Sequence, residues 1–130
     1  MSKDFLDLLW NKLDKNKIIN KEIIQFLDKY FSEKSDKIFE VIKKGITKYA
    51  YFPSNRILWT ALGKQKEHII YPRLYCSCRD FYKSVVINQS RKFCKHLIAQ
   101  VIAESLGNFE YVKLEDDAFL IRIEEIKSDF

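Results

Sequence analysis

Three cysteines and one of the two histidines fall in a single constellation: Cys76-Ser77-Cys78, fifteen residues from Arg79 to Phe93, then Cys94-Lys95-His96. Two close pairs of soft ligands separated by a loop can enclose a tetrahedral ion. Zinc takes thiolate sulfur at about 2.3 Å and imidazole nitrogen at about 2.0–2.1 Å, and four protein ligands fill its shell. No position is then left for water or substrate, which is the chemistry of a structural site. Arg79, Lys92 and Lys95 lie close in sequence and favour the deprotonated thiols. Three other readings compete. A disulfide leaves one cysteine over, a Cys76–Cys78 bridge is strained, and a reducing compartment disfavours it. A nucleophilic Cys94–His96 pair lacks an orienting third group and gives the other two cysteines no role. Buried cysteines beside a coincidental histidine are the plain structural alternative. Ligand type and count favour zinc. The second histidine, His68, stands alone on a predicted strand and reads as a packing or surface residue.

The elements that must bring the ligands together follow from periodicity. Phe5, Leu9 and Leu13 recur at helical spacing within residues 3–14, with Leu6, Leu8 and Trp10 beside them, which predicts an amphipathic helix with a wide apolar face. Ile23, Ile24, Phe26, Leu27, Tyr30 and Phe31 predict a second helix over 21–31. A polar interruption at 32–35 leads to a third helix over 36–44, closed by Gly45. Residues 46–52, 56–62 and 67–71 are rich in β-branched and aromatic side chains and are separated by turns, so they predict a three-stranded antiparallel meander. Pro72 interrupts the third strand, with Arg73 to Tyr75 continuing it past a bulge or ending it. The meander delivers the chain to Cys76. A short helix is predicted over 79–87 and a polar loop over 88–92. Leu97, Ile98, Val101, Ile102 and Leu106 then form a helical stripe ending at Gly107. Asp116 and Asp117 precede Phe119, Ile123 and Ile126 at helical spacing, with a strand hairpin from Tyr111 to Ile126 as the competing reading. The fold class is α+β in one domain over 1–130. It divides into an N-terminal helical part (1–45), the meander (46–75), the ligand-bearing segment (76–107) and an acidic C-terminal segment (108–130).

The 130 residues are 47% hydrophobic and 32% charged with only three Gly and two Pro, which excludes collagen-like, low-complexity and disordered classes. The longest stretch free of formal charge, His96 to Ala103, is too short for a membrane span, so no membrane partner is expected. Asp4 and Asp7 interrupt the N-terminal apolar segment, which lacks a small-residue cleavage site and does not read as a secretory signal. A cytoplasmic location is expected, or the nucleus in a eukaryote. The net charge of +5 is unevenly distributed. Residues 1–42 carry eight Lys and eight acidic residues. Residues 43–95 carry Lys43, Lys44, Lys48, Arg56, Lys64, Lys66, Arg73, Arg79, Lys83, Arg91, Lys92 and Lys95 against only Glu67 and Asp80, a net +10. Residues 96–130 carry three basic and eight acidic residues, a net −5. Such a cationic stretch attracts phosphates or acidic surfaces. Tyr49, Tyr51, Trp59, Tyr71, Tyr75 and Tyr82 are interleaved with it, which suits base stacking beside phosphate neutralisation if these rings are not spent inside the sheet. The acidic segment has the sign needed to fold against the cationic one and mask it.

The pattern CxC, a loop, then CxH, with a strand leading in and a helix leading out, resembles the SWIM zinc finger. The stretch from Tyr75 to Leu106, with Tyr before the first ligand, Ser between the cysteines and Lys between Cys94 and His96, resembles that segment of the small stand-alone SWIM subunits of Shu-type recombination complexes. The likeness extends loosely over residues 30–107. Arg79-Asp80 departs from it, since many SWIM segments carry Pro soon after the second cysteine. The resemblance implies a non-enzymatic accessory protein of homologous recombination and DNA repair. Its implied partner is a RecA-family recombinase paralogue acting on DNA. The residues themselves offer the apolar face of Phe5, Leu9, Trp10 and Leu13 as a docking surface, with core packing as the competing fate of most of that face, and the basic residues named above as a DNA contact. A homo-oligomer is compatible with the resemblance. A stand-alone zinc nucleic-acid-binding module, regulatory or related to transposase SWIM segments, is the alternative. No phosphate-binding glycine loop and no small-molecule substrate are expected.

Overall fold

The computed structural model describes residues 2–30, 35–63, 66–89 and 93–128. Three helices open the chain: α1 (Ser2–Asn16), α2 (Lys21–Tyr30) and α3 (Ser35–Lys44). Gly45, at φ 132°, stops α3 by donating its N–H to the Val41 carbonyl at 3.1 Å. Strands β1 (Ile46–Phe52), β2 (Arg56–Leu62) and β3 (Glu67–Tyr71) follow, and β1–β2–β3 is an antiparallel meander. Next come β4 (Tyr75–Cys76), a π-helical segment (Phe81–Ile87), helix α4 (Lys95–Leu106), β5 (Glu110–Glu115) and α5 (Asp117–Ser128).

The fold class is α+β, but the sheet has five strands rather than the expected three, in the order β4-β3-β2-β1-β5. Each added strand has a physical cause. Pro72 sits second and Arg73, at φ 66°, third in a turn closed by the Leu74 N–H donating to the Tyr71 carbonyl at 2.9 Å. Proline followed by a left-handed residue reverses the chain instead of bulging it, so Tyr75 and Cys76 pair back against Tyr71 and Ile70. At the other edge, Gly107 in the left-handed region (φ 72°, ψ 20°) caps α4, and β5 runs parallel to β1 from Thr47↔Glu110 to Phe52↔Glu115. Between the two C-terminal readings the structure places a strand and then a helix.

Alternation along the strands gives the sheet two different faces. One carries Ile46, Trp59, Ala61, Ile70 and Cys76 and packs against α3 and α4, with α1 and α2 joined to the same core through those helices. Helix α4 is the axis of that core, buried from His96 through Ala103. Leu6, Leu9 and Leu13 of α1 are fully buried with it, while Phe5 stacks between Phe26 at 5.3 Å and Phe93 at 5.9 Å. The apolar stripe of α1 is therefore interior. The opposite sheet face carries Tyr51, Leu58 and Ile69 and is covered by Ala118, Phe119 and Ile123 of α5. Arg122 on α5 hydrogen-bonds Glu67 and donates to the Tyr49 hydroxyl at 2.7 Å. Burial and the Glu67 carboxylate push the Tyr49 phenol above its ordinary pKa. The acidic segment thus attaches through apolar side chains, through Arg122, and through the Asp116 carboxylate, which accepts the Ser54 N–H at 3.0 Å and the Ser54 hydroxyl at 2.7 Å; none of these hydrogen bonds is to a residue of the predicted cationic set.

These packings separate two neighbouring leucines on α1. Leu9→Ala is expected to cost about 2–5 kcal/mol, as for a fully buried leucine. Leu8→Ala, half-exposed, should stay within about 0.5 kcal/mol. Denaturant unfolding of both variants measures the difference, and equal effects would contradict the assignment of Leu9 to the core.

Candidate metal centre

The four predicted ligands reach one point from three local structures. Cys76 ends β4, on the strand's inward side. Cys78 lies in the following loop, where its sulfur accepts the Phe81 N–H at 3.3 Å. Cys94 is the N-cap of α4 with extended backbone (φ −88°, ψ 169°), and His96 stands in that helix's first turn. All four are buried, and their ligand atoms lie within 4.8 Å of one another. The Cys94 sulfur and His96 Nδ1 are 4.0 Å apart, so Nδ1 is the nitrogen that faces the thiols. A zinc tetrahedron with these bond lengths has edges of about 3.5–3.8 Å, so closure round an ion needs shifts of roughly an ångström or less. Three soft thiols and an imidazole, held without a disulfide, fit that ion.

The electrostatics express the same demand for positive charge. The Cys78 thiol is held well below its ordinary pKa by S–H hydrogen bonds from Cys76 and Cys94. Cys76 is driven strongly upward by its role as donor to those two sulfurs, and burial pushes Cys94 up to about 12. Burial and mutual repulsion oppose ionisation of all three thiols together, and a divalent cation removes that opposition.

Two neighbours tie the cluster to the sheet. Ser77 donates its N–H to the Ile69 carbonyl at 3.0 Å, and its hydroxyl accepts the Ile69 N–H at 2.8 Å, which prolongs the β3–β4 pairing past Cys76. His68 packs its ring against His96, centroid to centroid 4.8 Å, with its Nδ1 buried and, among the described residues, without a hydrogen-bond partner. Burial and His96 lower its pKa, so it is neutral at physiological pH. Sequence spacing alone leaves His68 isolated. Hairpin register carries the missing signal: Ile70 faces Cys76, so counting two residues outward sets His68 opposite Cys78.

A Dictyostelium discoideum protein named zinc finger SWIM domain-containing protein 7 homolog is 30% identical over 128 residues, spanning 96% of this chain and 81% of that protein. The chain belongs to the SWIM zinc-finger family. No family model and no solved structure matches it. The Cys76, Cys78, Cys94 and His96 cluster fits the SWIM zinc finger in ligand type, order and burial.

The other predicted site residues are dispersed. Lys43 and Lys44 are exposed in the last turn of α3. Lys48 packs over the Trp59 ring at 5.6 Å, Arg56 over Phe119 at 5.1 Å, and Arg73 over Trp10 at 5.6 Å beside Asp7. Arg79 and Lys83 are exposed around the π-helical segment, and Lys66 and Lys95 are half-buried. Lys64, Arg91 and Lys92 lie outside the described residues. Of the six aromatic residues named for stacking, Tyr51 and Trp59 are buried and unavailable to bases, whereas Tyr71, Tyr75 and Tyr82 remain exposed. Among the residues expected to dock a partner, Leu9 and Leu13 are fully buried, and Phe5 and Trp10 pack half-buried against the core. Among the described residues, no helix is long and apolar enough to cross a membrane.

Removal of one ligand tests the centre. Cys94→Ser is expected to purify without stoichiometric metal and to lose its cooperative thermal transition, and chelation of the wild-type chain should do the same. An equally sharp melt with and without chelator would rule out a metal that holds the fold.

Proposed function

We propose that this chain is a non-enzymatic zinc adaptor of homologous recombination and DNA repair, which pairs with a RecA-family recombinase paralogue and contacts DNA. The observation that carries the adaptor reading is the closed Cys76–Cys78–Cys94–His96 cluster. Four protein donors complete a tetrahedral shell, which leaves no coordination position for a substrate. Bound there, zinc supplies charge neutralisation for three thiolates and a cross-link between the sheet edge and α4. The chain's residues do the rest: Cys76 fixes β4, Cys94 and His96 fix the start of α4, and Ser77 holds the knuckle against β3. Any ATP hydrolysis in the assembly belongs to the paralogue. A reducing intracellular compartment suits three free thiols.

The recombination role rests on the resemblance of Tyr75 to Leu106 to stand-alone SWIM subunits of recombination complexes. DNA contact is supported by the exposed cations Lys43 and Lys44 in the last turn of α3. The second reading, a self-sufficient nucleic-acid-binding module, draws on the same cations and differs in requiring tight DNA binding by the isolated chain.

Affinity capture from native extract, with zinc quantified on the recovered complex, is expected to return a recombinase paralogue. Recovery of the chain alone, together with tight DNA binding, would favour the second reading. DNA affinity should fall steeply with salt, and replacing Lys43 and Lys44 by Gln should lower the slope of log K against log salt by about one to two. Undetectable or salt-insensitive binding to both single-stranded and duplex DNA would remove the DNA contact.

A further inference from the structure

The segment between the two ligand pairs is wound as a π-helix, with the Asn88 N–H donating to the Lys83 carbonyl at 2.8 Å, five residues back. With a pitch of roughly 4.4 residues, side chains four and five apart fall on one line. Phe81 and Val85 form the inward line and pack on the core. Tyr82, Val86 and Ile87 form an outward line, and they are 60%, 49% and 58% exposed. Arg79 and Lys83, both exposed, share that spacing and run beside it. The segment therefore shows solvent an apolar stripe with a basic margin. Three large apolar side chains exposed together on so short an element mark an interaction surface.

The complement stands on α5. Its inward positions, Ala118, Phe119, Arg122 and Ile123, are committed to the sheet. Its outward positions at helical spacing are Asp117, Leu120, Ile121 and Glu124, all exposed, with Leu120 at 68% and Ile121 at 61%. This is an apolar pair with an acidic residue at each end, against an apolar stripe with two basic residues alongside. The aliphatic members favour a protein over a nucleic acid as the occupant, since Val86 and Ile87 offer bases no ring to stack on.

We infer that the π-helical surface of one copy receives the outward face of α5 from a second copy, forming a two-fold homodimer in which the contact is made twice. Each chain carries both halves, and the two-fold arrangement is the one in which two copies satisfy both contacts and close; any other relation between the same surfaces gives a larger ring or an open array. The apolar stripes supply the attraction. The Arg79 and Lys83 margin against Asp117 and Glu124 sets orientation and makes the association sensitive to salt. The inference stands apart from the recombination role and requires no paralogue.

Sedimentation velocity of the full-length, zinc-loaded chain, from micromolar to submillimolar concentration at low and high salt, tests it. A monomer–dimer equilibrium that weakens with salt is expected. Tyr82→Ser and Leu120→Ser should each remove the dimer while leaving zinc stoichiometry unchanged, and at concentrations too low for dimer they should melt as the wild-type chain does, because both side chains are exposed. Lys83→Glu should weaken the dimer, and Lys83→Glu combined with Glu124→Lys should restore it. A monomer at every concentration in low salt would overturn the inference, as would a dimer that survives Leu120→Ser. A monomer whose Tyr82→Ser variant instead loses single-stranded DNA binding would assign the surface to nucleic acid and overturn it equally.

Discussion

Three buried thiols cannot all carry charge in one low-dielectric site unless a cation joins them, and the geometry of this protein is arranged around that requirement. Cys76 belongs to the edge of the sheet, Cys94 and His96 to the start of the helix that forms the axis of the main core. Whatever draws the sulfurs together also fixes the position of α4 relative to β3 and β4. The N-terminus of α4 adds its positive dipole end to the same place, which favours thiolate at Cys94 against the burial that opposes it. Metal binding of about 10–16 kcal/mol in structural zinc sites compares with 5–15 kcal/mol for the whole stability of an ordinary domain. The ion is thus coupled to the fold as a whole and not to a loop.

The coupling spreads because α4 is shared. It contacts α1 and α3, its residues from Leu97 to Ala103 are buried, and Phe93, just ahead of it, stacks on Phe5. The knuckle, the N-terminal helices and one sheet face therefore form a single apolar cluster. The second face depends on the metal only through the sheet. Its cluster of Tyr51, Leu58 and Ile69 is small, and α5 covers it with Phe119 set edge-on to Tyr51 at 5.0 Å. The Arg122 contacts to Glu67 and Tyr49 orient α5 on that face, so its Leu120 and Ile121 are left pointing outward.

How much of this the chain declares in its sequence depends on the range of the interaction involved. The ligand set was legible because all four residues fall within 21 positions, in two pairs of matching spacing. The α1, α3 and α4 stripes and the three meander strands were legible because their periodicity is local. β4 was hidden by its two-residue length and by Pro72, whose meaning changes from break to reversal only when Arg73 takes a positive φ. β5 was hidden because its partner is β1, some sixty residues earlier, and parallel pairing leaves no hairpin signal. The wide face of α1 could be recognised, but whether Leu9 and Leu13 meet α4 or a partner is decided by tertiary packing. The same holds for Tyr51 and Trp59, whose aromatic character fits a nucleic-acid platform and a sheet interior equally well.

The charge distribution changes meaning in the same way. Spread along the sequence, the twelve cations of residues 43–95 look like one field. In the fold, Lys48, Arg56 and Arg73 each lie over an aromatic ring, which fixes where each charge sits without cancelling it. Lys43 and Lys44 stand in the last turn of α3, where the helix dipole already favours them. Arg79 and Lys83 belong to another element, beside exposed apolar side chains. The two foci have different neighbours: polar and charged side chains at the end of α3, exposed apolar ones at the π-helical segment. The net +10 is therefore the sum of separate local solutions, and a macromolecule that reads it must do so at particular elements.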